Sequence, residues 1–67
     1  MKVKVNQQEI EIFSGALVKD ALQKYSRREW LQVRKNKKVV YDRHGHEVAD
    51  DGELSDGQEL FVKVRGK

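Results

Sequence analysis

The feature that most constrains this chain is a change of hydrophobic period, from two to 3.6 and back. Val3 and Val5 alternate with Lys2, Lys4 and Asn6. Ile10 and Ile12 repeat the alternation between Glu9 and Phe13. Period two puts every second side chain on one side, as in a strand with one buried face. Asn6-Gln7-Gln8 between the runs is short enough for a hairpin loop, so the opening residues predict an antiparallel hairpin. From Leu17 the spacing turns helical. Val18, Ala21, Leu22 and Tyr25 fall at i, i+3, i+4 and i+7, with Lys19, Asp20, Gln23 and Lys24 opposite. Asp20 suits the first turn and Lys24 the last, where the helix dipole favours those charges. This helix is predicted to end near Ser26, and Ser14 is its cap if it starts early.

Beyond it the pattern is less regular. Ser26-Arg27-Arg28-Glu29 reads as a charged connection, and Leu31 and Val33 alternate with Trp30, Gln32 and Arg34, so a third strand is predicted from near Trp30. Lys35-Asn36-Lys37-Lys38 reads as a turn or bulge before Val39-Val40-Tyr41, and residues 30–41 are either one bent strand or two. Turns follow at Asp42-Arg43-His44-Gly45 and Asp50-Asp51-Gly52. The chain closes on Leu54, the Asp56-Gly57 turn, and a strand in which Leu60, Val62 and Val64 alternate with Phe61, Lys63 and Arg65. Arg65-Gly66-Lys67 is expected to project beyond it.

The order β-β-α-β-(β)-β makes residues 1–67 a single α+β domain, with one main helix packed on one face of a mixed sheet of four to five strands. The expected core is Val3, Val5, Ile10, Ile12, Val18, Ala21, Leu22, Leu31, Val33, Leu54, Leu60 and Val62. With 67 residues such a core is small and leaves little room for a walled catalytic pocket. Without cysteine there is no disulfide framework and no thiolate metal site. No apolar run reaches the length of a signal peptide or membrane span. The expectation is a soluble, cytoplasmic, monomeric protein without a cofactor, a bound metal or a membrane partner.

Charge is segregated along the chain. The formal net charge is +3, yet residues 24–43 carry +6 and residues 44–60 carry −6. In the basic stretch Arg27, Arg28, Arg34, Lys35, Lys37 and Lys38 suit phosphate contacts, and Trp30 or Tyr41 suits stacking on an unpaired base. The ordinary alternative is a solvated edge that guards the sheet against aggregation. Asp42-x-His44-x-His46 has two imidazoles and a carboxylate, but Gly45 marks a turn and no third strong ligand is evident, so exposed turn histidines are the better reading. The acidic run lacks the spacing of a Ca²⁺ loop. Ser14, Ser26 and Ser55 each have a local turn or cap role, and no nucleophile, base and acid set appears.

Gly15-Ala16-Leu17-Val18-Lys19-Asp20-Ala21-Leu22 opening the helix, and Leu54-Ser55-Asp56-Gly57-Gln58-Glu59-Leu60-Phe61-Val62 closing the chain, resemble the ubiquitin-like β-grasp proteins of the ThiS/MoaD sulfur-carrier group. TGS domains share the skeleton. The resemblance covers nearly the whole length, with residues 27–50 matching loosely. It implies adjacent, parallel first and last strands with the helix across them. In that family a C-terminal Gly-Gly carboxylate is adenylated by an activating enzyme and converted to a thiocarboxylate. Here Gly66 stands at the penultimate position and Lys67 where the terminal Gly belongs, so the tail departs from the family's motif. The resemblance implies a non-catalytic carrier-related or protein-docking module, with Phe61, Lys63, Arg65, Gly66 and Lys67 as the partner-binding residues. The alternative is an RNA-binding module of TGS type using residues 27–38.

Overall fold

The computed structural model describes residues 1–65. The sequence-predicted hairpin is present as β1 (Lys2–Val5) and β2 (Gln8–Glu11), paired antiparallel from Lys2↔Glu11 to Val5↔Gln8. Its loop is two residues, Asn6 and Gln7, shorter than the three read from the sequence. Both have positive φ, 50° and 68°, the signature of a type I′ turn whose twist matches the strands it joins. Asn tolerates that conformation better than most residues, and here it is also bonded outward. The Asn6 N–H donates to the Leu60 carbonyl at 2.8 Å, and Asn6 Oδ1 accepts the Val62 N–H at 2.9 Å. Asn6 Nδ2 lies 3.2 Å from the Tyr25 hydroxyl. The turn thus continues the ladder between β1 and the last strand.

The first helix, α1 (Val18–Tyr25), buries Val18, Ala21 and Leu22 as its spacing requires. Ser14 does not cap it. The N-cap is Leu17, which has no side-chain acceptor. Instead, the loop over residues 49–54 places backbone carbonyls at the helix start. Val18 N–H donates to Gly52 O and Lys19 N–H to Asp50 O, both at 2.9 Å, satisfying donors that a helix leaves open. The Asp20 carboxylate accepts the Leu17 N–H at 2.9 Å.

The strand predicted from Trp30 is not formed. Residues 27–34 are a second helix, α2 (Arg27–Arg34). Ser26 ends α1 and caps α2, its Oγ accepting the Glu29 N–H at 3.3 Å. Ser-x-x-Glu is a helix-opening signature, and it is legible in the sequence. The alternation of Leu31 and Val33 suggested a strand because α2 fully buries none of its residues and so carries no clear apolar stripe, whereas α1, equally long, buries Val18, Ala21 and Leu22. Leu31 and Val33 are accordingly only half-buried rather than full core residues. A Schellman motif closes α2, with Lys37 N–H donating to Gln32 O and Asn36 N–H to Val33 O, both at 2.9 Å. Asn36 takes the left-handed conformation this requires, at φ 64°.

The remaining strands are β3 (Lys38–Tyr41) and β4 (Glu59–Val64), and the four-stranded sheet runs β2-β1-β4-β3. β4 is parallel to β1 through Lys4↔Glu59 and Val5↔Leu60, and antiparallel to β3 from Lys38↔Val64 to Tyr41↔Phe61. An isolated bridge, Tyr41↔Glu47, and a bond from Val48 N–H to Val40 O at 2.9 Å extend the β3 edge. The architecture is α+β, with a mixed sheet of four strands and two helices rather than one main helix. α1 lies over β1 and β2, and α2 over β3.

Between the layers sit Val3, Val5, Ile10, Ile12, Ala16, Val18, Ala21, Leu22, Val40, Leu54 and Leu60. Ala16 and Val40 were not expected there. Trp30, Val33 and Val62 are partly buried against this core. Val39 is also buried, at 4% exposure, but it lies outside the core cluster. Val39 and Val40 point to opposite faces of β3 and both are buried, which erased the alternation that would have marked the strand.

Candidate binding surfaces

Register divides the sheet into two faces. Leu60, Val62 and Val40 face the helices, so the intervening Phe61, Lys63, Tyr41 and Val39 lie on the other, outer face. Tyr41 pairs with Phe61, and Val39 with Lys63. Phe61 and Tyr41 are half-buried, Lys63 is exposed, and Val64 is 73% exposed at the strand end. Tyr41, Arg43, Phe61, Lys63 and Val64 border one open depression of about 540 Å³.

Arg65 is not part of a free arm. Its N–H donates to Lys37 O at 3.0 Å, extending the β3–β4 ladder. Its Nε donates to Asn36 O at 3.2 Å and its Nη2 to Asn36 Oδ1 at 2.6 Å. Glu47 Oε2 lies 4.0 Å from the same guanidinium. Arg65 thus ties the end of β4 to the α2–β3 turn. Gly66 and Lys67, named with it as tail residues, lie outside the described residues.

The basic stretch is redistributed by α2. Lys38 Nζ sits 2.8 and 3.0 Å from the two oxygens of Glu29, joining β3 to α2, and both side chains are largely covered. Lys38 is therefore a structural partner of Glu29. Arg27, Arg28, Arg34, Lys35 and Lys37 are exposed, and among the described residues none is in an ion pair. Arg27, Trp30 and Arg34 follow one another at helical spacing and line one groove with Leu31 and Gln23. Sequence reasoning missed Gln23, because it comes from α1 and only the packing of the two helices brings it there. Tyr41 does not join this group, since it stands on the outer face beside Phe61.

Asp42, His44 and His46 form a self-bonded turn. Asp42 Oδ1 accepts the N–H groups of His44 and His46, each at 2.9 Å, and Gly45 supplies the required positive φ of 82°. The His46 ring lies 4.0 Å from Asp42 Oδ2. Among the described residues no group of three or more His, Cys, Asp or Glu is placed to hold a metal. The His46 backbone N–H is the main cause that holds the Asp42 carboxyl below its usual value; desolvation opposes it, and the His44 N–H and the two imidazoles add smaller lowering effects. A carboxylate with a depressed folded pKa contributes stability above its unfolded pKa and loses it as pH falls through the folded value. The turn is therefore expected to hold at neutral pH and to loosen only below the ordinary carboxylate value of 3.8. The Asp42 side-chain carboxyl carbon resonance followed by NMR from pH 6 to pH 2 should titrate in that range. Movement centred above pH 5 would contradict the bonding described.

No helix among the described residues is long and apolar enough to cross a membrane. Comparison with family models, curated proteins and solved structures finds no match for this chain.

Proposed function

We propose that this chain is a non-catalytic β-grasp module, related to the ThiS/MoaD sulfur carriers, that is gripped by a partner protein at the outer face of its sheet and the end of β4. The observation carrying this reading is the strand order β2-β1-β4-β3 with β1 and β4 parallel and both helices on one face. That arrangement puts the final strand inside the sheet and leaves Phe61 and Lys63 accessible on its far side. An accessible aromatic such as Phe61 is the kind of anchor that protein interfaces favour. In the carrier form of the reading, the partner is an adenylating activating enzyme and the tail is chemically modified.

The test has two parts. Intact mass and C-terminal peptide sequencing of protein purified from its own host should reveal a trimmed, thiocarboxylated or isopeptide-linked tail. Partner retention should fall at least tenfold in Phe61→Asp with the fold intact by circular dichroism. An unmodified terminus together with partner retention indifferent to Phe61→Asp would refute the reading. A second reading, RNA binding by the basic stretch, draws on one observation, the grouping of Arg27, Trp30 and Arg34 in one groove.

A further inference from the structure

Deepening that RNA reading, and resting on it, we infer that α2 is a binding site for single-stranded RNA, with Trp30 stacking on an unpaired base and the arginines beside it holding the flanking phosphates. The groove has a chemistry of its own. Trp30 is half-buried, its indole supported by the core, with Arg27 one turn before it and Arg34 one turn after it. Arg27 and Arg34 are seven positions apart, which separates their Cα atoms by about 10 Å along the helix. The groove encloses about 220 Å³. That is below the roughly 300 Å³ at which small-molecule pockets begin, so the site suits one ring of a longer ligand rather than a whole free metabolite.

The charges around it are arranged at a cost to the helix. Arg27 and Arg28 occupy the first turn of α2, the positive end of the helix dipole, where cations are disfavoured. The carboxylate nearest them in the helix, Glu29, is engaged by Lys38 and does not neutralise them. Glu29 in the same turn and the Ser26 cap offset part of this cost, while Arg27 and Arg28 have no ion-pair partner among the described residues. An incoming phosphate reverses the sign of this interaction. With Lys35 and Lys37 beyond Arg34, the basic ridge continues past the groove.

Strandedness follows from the same geometry. In a duplex the bases are stacked on one another, and the deep, narrow major groove of A-form RNA does not admit a helix. α2 has eight residues and packs on β3, and Trp30 is half-buried against the core rather than projecting from the helix. Trp30 reaches a base only if that base is unpaired. An aromatic platform with basic neighbours is the usual solution for binding single strands.

The experiment uses the whole protein and exploits Trp30 being its only tryptophan. Fluorescein-labelled single-stranded RNA, the matching duplex and single-stranded DNA are titrated, with RNA binding read by anisotropy and base contact by Trp30 emission. Single-stranded RNA is expected to bind at least tenfold tighter than the duplex and to quench Trp30. Five phosphate contacts predict a slope of log affinity against log salt of about −3.5, falling to about −2 in the Arg27→Gln, Arg34→Gln double variant. These surface changes spare the core, so loss of binding with an unchanged fold reads the site directly. If RNA binds but the duplex binds equally, or Trp30 is unaffected, the inference fails while the RNA reading stands. If single-stranded DNA binds as well as RNA, the assignment to RNA fails; if polyglutamate, added as a competitor, displaces the RNA, the inference fails as nonspecific polyanion capture. If nothing binds at low salt, the inference and the RNA reading fall together.

Discussion

Leu60→Ala is expected to lower the stability of this domain by about 3 kcal/mol, the middle of the range for deleting a buried leucine side chain. Leu60 is fully buried, at 0% exposure, in the central strand β4. It is paired with Val5 across the parallel ladder and packed in the cluster that contains Val3, Leu22 and Leu54. The truncation leaves a cavity bordered by both layers, and a sheet hydrogen-bonded on both sides of β4 has little freedom to collapse into it. A domain of 67 residues has roughly 3–10 kcal/mol of total stability. The variant should therefore be partly unfolded at 37 °C, with its melting temperature lower by about 12–24 °C. Thermal and urea unfolding followed by circular dichroism measure this. Val64→Ala, at 73% exposure, is the matched control and should change little. A Leu60→Ala loss below about 1 kcal/mol would mean the layers are not packed as described.

Asn6→Ala should cost about 2–3 kcal/mol, more than a surface turn residue normally does, because two effects add. Removing Oδ1 takes the acceptor from the Val62 N–H, worth about 1 kcal/mol at a site that water reaches. Holding alanine at a φ of 50° costs about 1–2 kcal/mol more. Asn6→Gly separates them. It loses the same hydrogen bond but relieves the backbone, so it should be the milder variant by about 1 kcal/mol, as measured by urea unfolding. Equal losses would assign the whole effect to the side chain and none to the turn.

The same residue shows what local pattern can and cannot convey. The apolar alternation around Asn6 announced a hairpin, and the hairpin is there. That the Asn6 side chain also serves as an acceptor for a strand 56 positions later is not a local property. Similarly, Val3, Val5, Ile10, Ile12, Val18, Ala21, Leu22 and Leu60 were legible as core because each lies in a segment with a clear period of its own, and Leu54 because it is a lone apolar residue between two turns. Val39 and Val40 were not, since they point to opposite faces and both are buried, which leaves no alternation to read. Among the site residues, the basic stretch was visible as composition. The grouping of Arg27 and Arg34 around Trp30, and the diversion of Lys38 to Glu29, followed from α2 being a helix.

The opening hairpin, α1 and the final strand, and with them an α+β domain, were readable from local pattern, because each of those segments carries one unbroken hydrophobic period. The state of residues 27–34 was set by packing. α2, like α1, is too short to be stable alone in water, and it lacks the apolar stripe that marks α1. It forms here because Ser26 caps it, Trp30 and Val33 pack on the core, and Glu29 meets Lys38 across from β3. Tertiary packing likewise anchored Arg65 to Asn36 and set Trp30 and Tyr41 on separate surfaces. Those outcomes depend on contacts between segments distant in the chain, whose free energy no local period encodes.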